Sequence, residues 1–211
     1  MAISCDALQV YEGLSALTGV ASDEEQEKLE HRLVGFVPIT QAFNVGDYMP
    51  LAHAEVDRAL EEGRRPIVVG GTGLYLRAAL AQLSLVKVAP ESEDSELWSP
   101  ETRHPTVIFG IDMEREELYR RIDARTEAIF GSGAREEVER AEALGPSHTA
   151  RVALGFDEVL SGDLATMQKR SRNYARRQLT WMRKVPNLHW VDRMGRSDAE
   201  VAAEIAAALT D

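Results

Sequence analysis

The feature that most constrains the fold of this chain is a glycine-rich turn between an apolar run and a helical pattern. The run Pro66–Val69 is short, continuous and apolar, which is typical of a central strand of a parallel sheet. An amphipathic helical pattern over Asp47–Glu62 precedes it, and a second helical pattern over Leu74–Leu83 follows the turn Gly70–Gly73. This order predicts an α/β fold in which ligands bind at the carboxyl ends of the strands.

Other segments fit the same architecture. Ala2–Cys5 has the character of the end of a buried strand, and Thr106–Ile111 has that of a further strand. Residues 15–46 are polar and irregular, so we predict a long loop with one short helix near Asp23–Glu30. Residues 86–105 are polar and proline-containing and are predicted to form a linker. Asp112 is predicted to cap a helix that runs to about Phe130. Further helices are predicted over 134–144, 149–160 and 164–184, and a short strand over 189–191. A last helix is predicted to begin with a Ser197–Glu200 capping box.

Composition excludes several classes of protein and site. The 44% hydrophobic and 28% charged residues are typical of a globular protein. The single cysteine, Cys5, excludes an internal disulfide and a CxxC zinc site. No HExxH, Gly-x-Ser-x-Gly or Gly-Lys phosphate-loop motif occurs. No apolar run is long enough to cross a membrane and no signal peptide is recognisable, so we expect a cytoplasmic protein without membrane contact.

The charge of the chain is unevenly distributed. The net charge of −11 disfavours non-specific binding to nucleic acid. However, the segment from Lys169 to Lys184 carries +7 with no acidic residue, which leaves −18 for the rest of the chain. Four of its cations share one helical face, and Tyr174, Gln178 and Trp181 lie between them in the sequence; these cations are Lys169, Arg172, Arg176 and Arg183. Arginines bind phosphates and aromatic rings stack on bases, so the segment is either a nucleic-acid surface or a solvated helix face.

Two further candidates lie after the predicted strands. The turn Gly70–Gly73 either brings backbone N–H groups to an anion or is a tight turn without a ligand. Asp6 follows the first strand, where an aspartate can act as a general base or metal ligand, or simply cap a turn.

Five blocks, taken in order, resemble the tRNA dimethylallyltransferase family. Ile3–Leu14 is similar to the family's I-S-x-D-S-x-Q-V-Y-x-G-L segment, and Val69–Leu76 matches its VGGTGLYL. Glu117–Arg125 resembles its E-L-Y-x-R-I-x-x-R helix. Leu154–Leu160 is similar to its I-G-Y-K-E segment, and Arg172–Trp181 to its R-x-Y-A-K-R-Q-x-T-W.

The resemblance implies a single P-loop-NTPase-like α/β domain, with a parallel sheet, flanking helices and a helical C-terminal part. It implies transfer of a dimethylallyl group from dimethylallyl diphosphate, accompanied by Mg²⁺, to N6 of adenosine 37 in tRNAs that read codons beginning with U. Asp6 would be the general base and Arg125 would stabilise the leaving diphosphate. We expect a monomer. The residues expected at the tRNA are Ala7, Leu8 and Gln9, then Thr72, then Arg151, Val152, Ala153, Leu154, Gly155 and Phe156, and finally Arg176, Arg177, Gln178, Leu179, Thr180, Trp181, Met182 and Arg183.

Two departures from the family pattern bear on activity. The family's phosphate-binding loop, which would precede the Ala2–Cys5 strand, does not occur in this sequence, so no diphosphate-binding or metal residue is identified and the chain is expected to be truncated at its N-terminus. Residues 86–105 stand in place of the family's helical insertion. We therefore expect little transferase activity. The alternative is a catalytically inactive tRNA-binding remnant; a P-loop small-molecule kinase is disfavoured because the tRNA-side blocks are present.

Overall fold

The structure, a computed structural model, describes residues 1–84 and 96–209. Its strands are β1 (Ala2–Ser4), β2 (His31–Arg32), β3 (Ile67–Val69), β4 (Ile108–Asp112) and β5 (Leu188–Asp192). Its α-helices are α1 (Ser15–Thr18), α2 (Asp23–Lys28), α3 (Val45–Glu61), α4 (Gly73–Leu80), α5 (Arg115–Phe130), α6 (Ala134–Leu144), α7 (His148–Arg151), α8 (Phe156–Ser161), α9 (Leu164–Met182) and α10 (Asp198–Ala207). A 3₁₀ helix spans Glu96–Trp98.

All strand pairs are parallel, as expected for an α/β fold, but they form two sheets. One sheet has the order β2-β1-β3, and the other consists of β4 and β5. The prediction that Pro66–Val69 is a central strand is wrong, because β3 pairs only with β1 among the described strands. Ile67 and Val69 are consequently 49% and 54% exposed. An apolar run indicates a strand but does not tell how many neighbours the strand has.

Helix starts follow capping chemistry. The Ser197–Glu200 capping box is confirmed at α10. Helix α3 begins two residues before the predicted Asp47, because Asn44 is its N-cap and Asp47 completes a capping box. The prediction that Asp112 caps α5 is wrong: Asp112 ends β4, and its Oδ1 accepts the N–H of Met113.

The segment predicted as a long loop contains three elements. The short helix is confirmed as α2, but α1 and β2 were not predicted. The N-terminus of α1 is held by Glu137 from α6, whose carboxylate accepts the N–H groups of Ala16 at 2.9 Å and of Leu17 at 3.1 Å. A carboxylate at a helix N-terminus satisfies free donors and is favoured by the helix dipole. The four-residue α1 therefore depends on a distant residue.

The part of the predicted linker that the structure describes is packed. Leu97 is fully buried in the main core, which also contains Tyr11, Tyr48 and Phe156. The buried Arg77 donates to the backbone oxygens of Ser99 and Glu101 at 2.9 and 3.2 Å. Residues 86–95 of that prediction lie outside the described residues. Within 1–84 and 96–209, no helix has the length and hydropathy needed to span a membrane.

Candidate active site

Asp6 lies directly beyond β1 and is held by its own turn. Its Oδ1 accepts the N–H groups of Leu8 at 2.8 Å and Gln9 at 3.3 Å. Its Oδ2 has no hydrogen-bond partner among the described residues, and the side chain is half-buried. Asp6 therefore caps a turn with one oxygen, while the other oxygen is free to accept a proton.

The glycine turn lies beside Asp6 because β1 and β3 are neighbouring parallel strands. The hydroxyl of Thr72 accepts the N–H of Ala7 at 3.3 Å. A Cβ at Gly70 would lie 2.7 Å from the Sγ of Cys5 and 2.9 Å from its carbonyl carbon. Glycine at position 70 therefore permits close approach of the two loops. Burial raises the pKa of the Cys5 thiol to about 12, so this cysteine is not a nucleophile at neutral pH.

Helix α9 docks along the glycine turn through one face. The Tyr174 hydroxyl lies 3.4 Å from that of Thr72, and Gln178 donates to the backbone oxygen of Gly71 at 2.9 Å. The Trp181 ring occupies the space over Gly73, where a Cβ would lie 2.2 Å from a ring carbon. Residues 174, 178 and 181 are spaced by four and three, so they share a helical face. The turn therefore has glycines where α9 approaches its backbone.

Two tyrosines beside Asp6 stay protonated at neutral pH. Burial is the main cause that raises the pKa of Tyr75 to about 12, with the charge of Asp6 as a minor contribution. Burial likewise raises the pKa of Tyr174, and the charge of Asp6 adds to it. Both phenols are therefore neutral hydrogen-bonding groups rather than bases.

Arg125 reaches the Asp6 loop through α1. Gln9, whose Oε1 accepts the hydroxyl of Ser4, donates to the backbone oxygens of Gly19 at 3.0 Å and Thr18 at 3.4 Å. The Arg125 guanidinium donates to the same Thr18 oxygen at 3.5 Å and packs against Gly19. Arg125 forms no ion pair among the described residues. The structure therefore joins the two predicted catalytic residues in one hydrogen-bonded network.

The basic segment divides into paired and unpaired cations. Arg170 forms an ion pair with the buried Glu158, and Arg172 with Asp123 at 2.5 Å. The cations that form no ion pair within 1–84 and 96–209 are Lys169, Arg176, Arg177, Arg183 and Lys184. Of the other predicted tRNA-binding residues on α9, Thr180 is exposed, and Leu179 and Met182 are half-buried. Arg170 and Arg172 hold α9 to the fold, whereas Lys169, Arg176, Arg177 and Arg183 are exposed and have no carboxylate partner among the described residues.

The predicted tRNA-binding segment 151–156 faces largely inward. Ala153 and Phe156 are buried, Leu154 is half-buried, and Gly155 has a positive φ of 101° and packs against α1 and α9. Val152 is 52% exposed. Arg151 is half-buried, and it pairs with Glu142 and with Asp157 at 3.2 Å. Val152 is therefore the exposed residue of the segment, and Arg151 is partly accessible.

Comparison with known proteins identifies the family. The model of the IPP transferase family matches residues 9–100 and 89–185. A tRNA dimethylallyltransferase of Rhodospirillum centenum is 32% identical, over 86% of this chain and 79% of that protein. The chain belongs to the IPP transferase family. A tRNA dimethylallyltransferase of Acetivibrio thermocellus is 27% identical, over 90% of this chain and 83% of that protein.

Solved structures agree with this assignment to the IPP transferase family. The tRNA isopentenylpyrophosphate transferase of Bacillus halodurans superposes with a TM-score of 0.86 at 25% identity, over 99% of this chain and 86% of that one. A eukaryotic dimethylallyltransferase, described as acting on tRNA, has a TM-score of 0.78 at 16% identity, over 99% of this chain and 72% of that one. The second similarity concerns the fold alone. The predicted P-loop-NTPase-like α/β fold is confirmed.

Two residues of this IPP transferase site were not among the predicted site residues. The rings of Trp98 and Trp181 pack at a tilt of 59° with centroids 4.8 Å apart, and Lys184 lies 5.1 Å above the Trp98 ring. Trp98 thus supports the docked face of α9 from the predicted linker, and no motif marked it. The other residue is Tyr174; its spacing of four and seven from Gln178 and Trp181 was the available signal.

The described residues form no metal site of their own. No group of three or more His, Cys, Asp or Glu side chains within 1–84 and 96–209 could hold a metal ion. A Mg²⁺ ion at this site would therefore need ligands other than a cage of side chains.

Proposed function

We propose that this chain transfers the dimethylallyl group of dimethylallyl diphosphate to N6 of adenosine 37 in tRNAs that read codons beginning with U. The observation that carries the proposal is the position of Asp6, which lies with a free Oδ2 beside the glycine turn on which the basic helix α9 docks. Membership of the IPP transferase family supports the same reaction. No observation specifically favours the alternative of an inactive remnant.

Asp6 acts as the general base in this proposal. Its Oδ2 accepts a proton from the exocyclic amine while the N6–carbon bond forms and the carbon–oxygen bond to diphosphate breaks. The diphosphate leaves with the electron pair of that bond. The N–H groups of Leu8 and Gln9 donate to Oδ1 and fix the carboxylate. Oδ2 is therefore oriented before the adenine binds. The adenine has to leave its stack to reach Asp6.

Arg125 stabilises the negative charge that develops on the diphosphate. Its guanidinium has no carboxylate partner among the described residues, and the backbone of Thr18–Gly19 positions it. A preorganised cation lowers the barrier because charge develops where the cation already lies. We propose that Mg²⁺ enters as the counter-ion of the diphosphate, because Mg²⁺ at such sites takes most ligands from phosphates and water.

The exposed cations of α9 bind the phosphate backbone of the tRNA, and Thr72 contacts the adenine that is modified. Arg176, Arg177 and Arg183 are exposed on the helix that docks on the turn of Thr72. Arginine forks suit phosphate oxygens, and counterion release makes such binding steeply dependent on salt. We expect Arg151 and Val152, at the C-terminal end of α7, to add tRNA contacts, because they are the accessible residues of the predicted segment 151–156.

The test is prenylation of an anticodon stem–loop RNA by the purified chain, followed by mass spectrometry. The proposal expects one dimethylallyl group on the RNA with adenosine at position 37 and none on the RNA with guanosine there. Binding of both RNAs without any product over a long incubation would instead establish the remnant. If the chain neither binds the RNA nor forms product, both the transferase and the tRNA-binding remnant are contradicted.

A further inference from the structure

A cavity lined by arginines lies between α5 and α9. Its volume is about 60 Å³, and its lining includes Arg115 and Tyr119 from α5 and Arg176 and Arg183 from α9, with two leucines and a threonine. At 3.6 residues per turn, residues 176 and 183 lie on the side of α9 opposite to the face that docks on the glycine turn. The cavity is therefore separate from Asp6 and the glycine turn.

The three arginines around this cavity form no ion pair with any carboxylate of the described residues. No acidic residue of this part of the chain lines the cavity. The only side-chain hydrogen bond of Arg176 in the described chain is a donation to Asn173 at 3.0 Å. By contrast, Arg120 and Arg121 of α5 pair with Glu117, and Arg172 of α9 pairs with Asp123. Within residues 1–84 and 96–209, the positive charge at the cavity is thus uncompensated.

An anion would offset this charge. Like charges placed close together destabilise each other, and guanidinium groups bind phosphate oxygens with paired hydrogen bonds. The cavity has room for such a group, because roughly 10–15 Å³ is enough for one water molecule. Tyr119 and the leucines provide an apolar wall, which strengthens the attraction between charges by excluding water.

We propose that the cavity between α5 and α9 is a phosphate-binding subsite, with Arg115 as a substrate contact. The inference rests on the proposed function, in which the RNA backbone supplies the phosphate; the dimethylallyl diphosphate reacts beside Asp6, on the other side of α9. Arg115 begins α5, whereas the motif that resembles the family begins at Glu117. No sequence pattern had marked it.

The test compares Arg115→Ala and Arg115→Lys with the matched control Arg140→Ala. Arg140 is exposed on α6 and forms no ion pair in the described part of the chain, so its removal changes the net charge equally. Stem–loop RNA binding is measured over a range of salt concentrations, and binding of inorganic pyrophosphate is measured in parallel. Thermal unfolding checks that each variant is folded.

If the subsite holds an RNA phosphate, Arg115→Ala weakens stem–loop binding several-fold and reduces the slope of log K against log salt by about 0.7–0.9. Arg115→Lys retains most of the slope because it keeps the charge. Weaker pyrophosphate binding with an unchanged RNA slope in Arg115→Ala would instead place the diphosphate in this cavity and overturn the assignment to an RNA phosphate. Equal behaviour of Arg115→Ala and Arg140→Ala in both assays would overturn the proposal.

These assays measure binding and need no turnover. If the wild-type chain forms no prenylated RNA, the proposed function fails while the subsite result stands. If the wild-type chain is active and the two alanine variants bind alike, only the subsite fails.

Discussion

At the scale of residues, the site depends on backbone that side chains can approach. Gly71 and Gly73 leave space that Gln178 and Trp181 fill, and Gly70 lies against Cys5. The pattern of glycines between strand and helix marked the turn. It did not reveal that α9 occupies the space, because the contacting residues are about 107 positions away in the chain.

Gly73→Ala tests this packing. A Cβ at Gly73 would lie 2.2–2.6 Å from three atoms of the Trp181 ring, which Trp98 also supports, so α9 has to shift. We expect a loss of about 1–3 kcal/mol in the free energy of unfolding, which is typical of overpacking. We also expect lower prenyl transfer. The matched control is Gly131→Ala, whose Cβ would be 3.6 Å from its nearest neighbour. Equal unfolding midpoints in urea for the two variants would contradict the packing.

Cys5 gives a prediction about pH. Because burial raises its pKa to about 12, the folded thiol stays protonated where an exposed thiol ionises. Alkylation by iodoacetamide should therefore be slow in the folded protein up to about pH 10, and fast after unfolding, where cysteine has a pKa of about 8.5. This group leaves the free energy of unfolding unchanged well below the unfolded pKa, and lowers it as pH rises from there toward the folded pKa of about 12. Rapid alkylation of the folded chain at pH 8 would show that Cys5 is accessible.

At the scale of elements, strong local patterns were predictable and elements held by distant contacts were not. The amphipathic pattern of α3 and the Ser197–Glu200 capping box are local, so the sequence indicated both. Helix α1 has four residues, and its N-terminal donors bond to Glu137 from 120 residues away. Similarly, the neutralisation of Arg170 and Arg172 depends on Glu158 and Asp123, which lie outside the basic segment.

Glu137→Ala should weaken α1 and, through it, the position of Arg125. The change leaves the N–H groups of Ala16 and Leu17 without their acceptor, at a cost of about 1–3 kcal/mol in the free energy of unfolding. Because Arg125 contacts Thr18 and Gly19 at the other end of α1, we expect kcat to decrease more than RNA binding. Glu139→Ala, on the same helix but exposed in a surface ion pair, is the control. If Glu137→Ala and Glu139→Ala have equal kcat values, α1 does not position Arg125 for catalysis.

At the scale of the whole molecule, the fold places Asp6 and the glycine turn at the carboxyl ends of two neighbouring parallel strands, and Arg125 reaches the Asp6 loop from α5. The α/β class, the parallel pairing and the family followed from the sequence, because the motif blocks occur in order. The division of the strands into two sheets did not, since pairing partners are a property of the whole chain. The rest of the chain is acidic, so the cations of the Lys169–Lys184 segment that form no ion pair among the described residues make a local positive surface. Arg176 and Arg183 lie on the side of α9 that faces away from the glycine turn. In the proposed function, the RNA therefore contacts α9 on a different side from the one that docks beside Asp6.

The most direct test of the account is prenyl transfer by Asp6→Asn beside Asp192→Asn, each measured with its binding of the stem–loop RNA. Asp192 is also at the carboxyl end of a parallel strand, and its Oδ1 accepts the N–H of the residue two positions on, Met194. It therefore matches the local geometry of Asp6 but is not part of the hydrogen-bonded network that links Asp6 to Arg125. We expect Asp6→Asn to lower the rate by about 10²–10⁴-fold with nearly unchanged RNA binding, because only the general base is lost. Asp192→Asn should leave both unchanged. Full transfer activity in Asp6→Asn would contradict the role of Asp6 as the base.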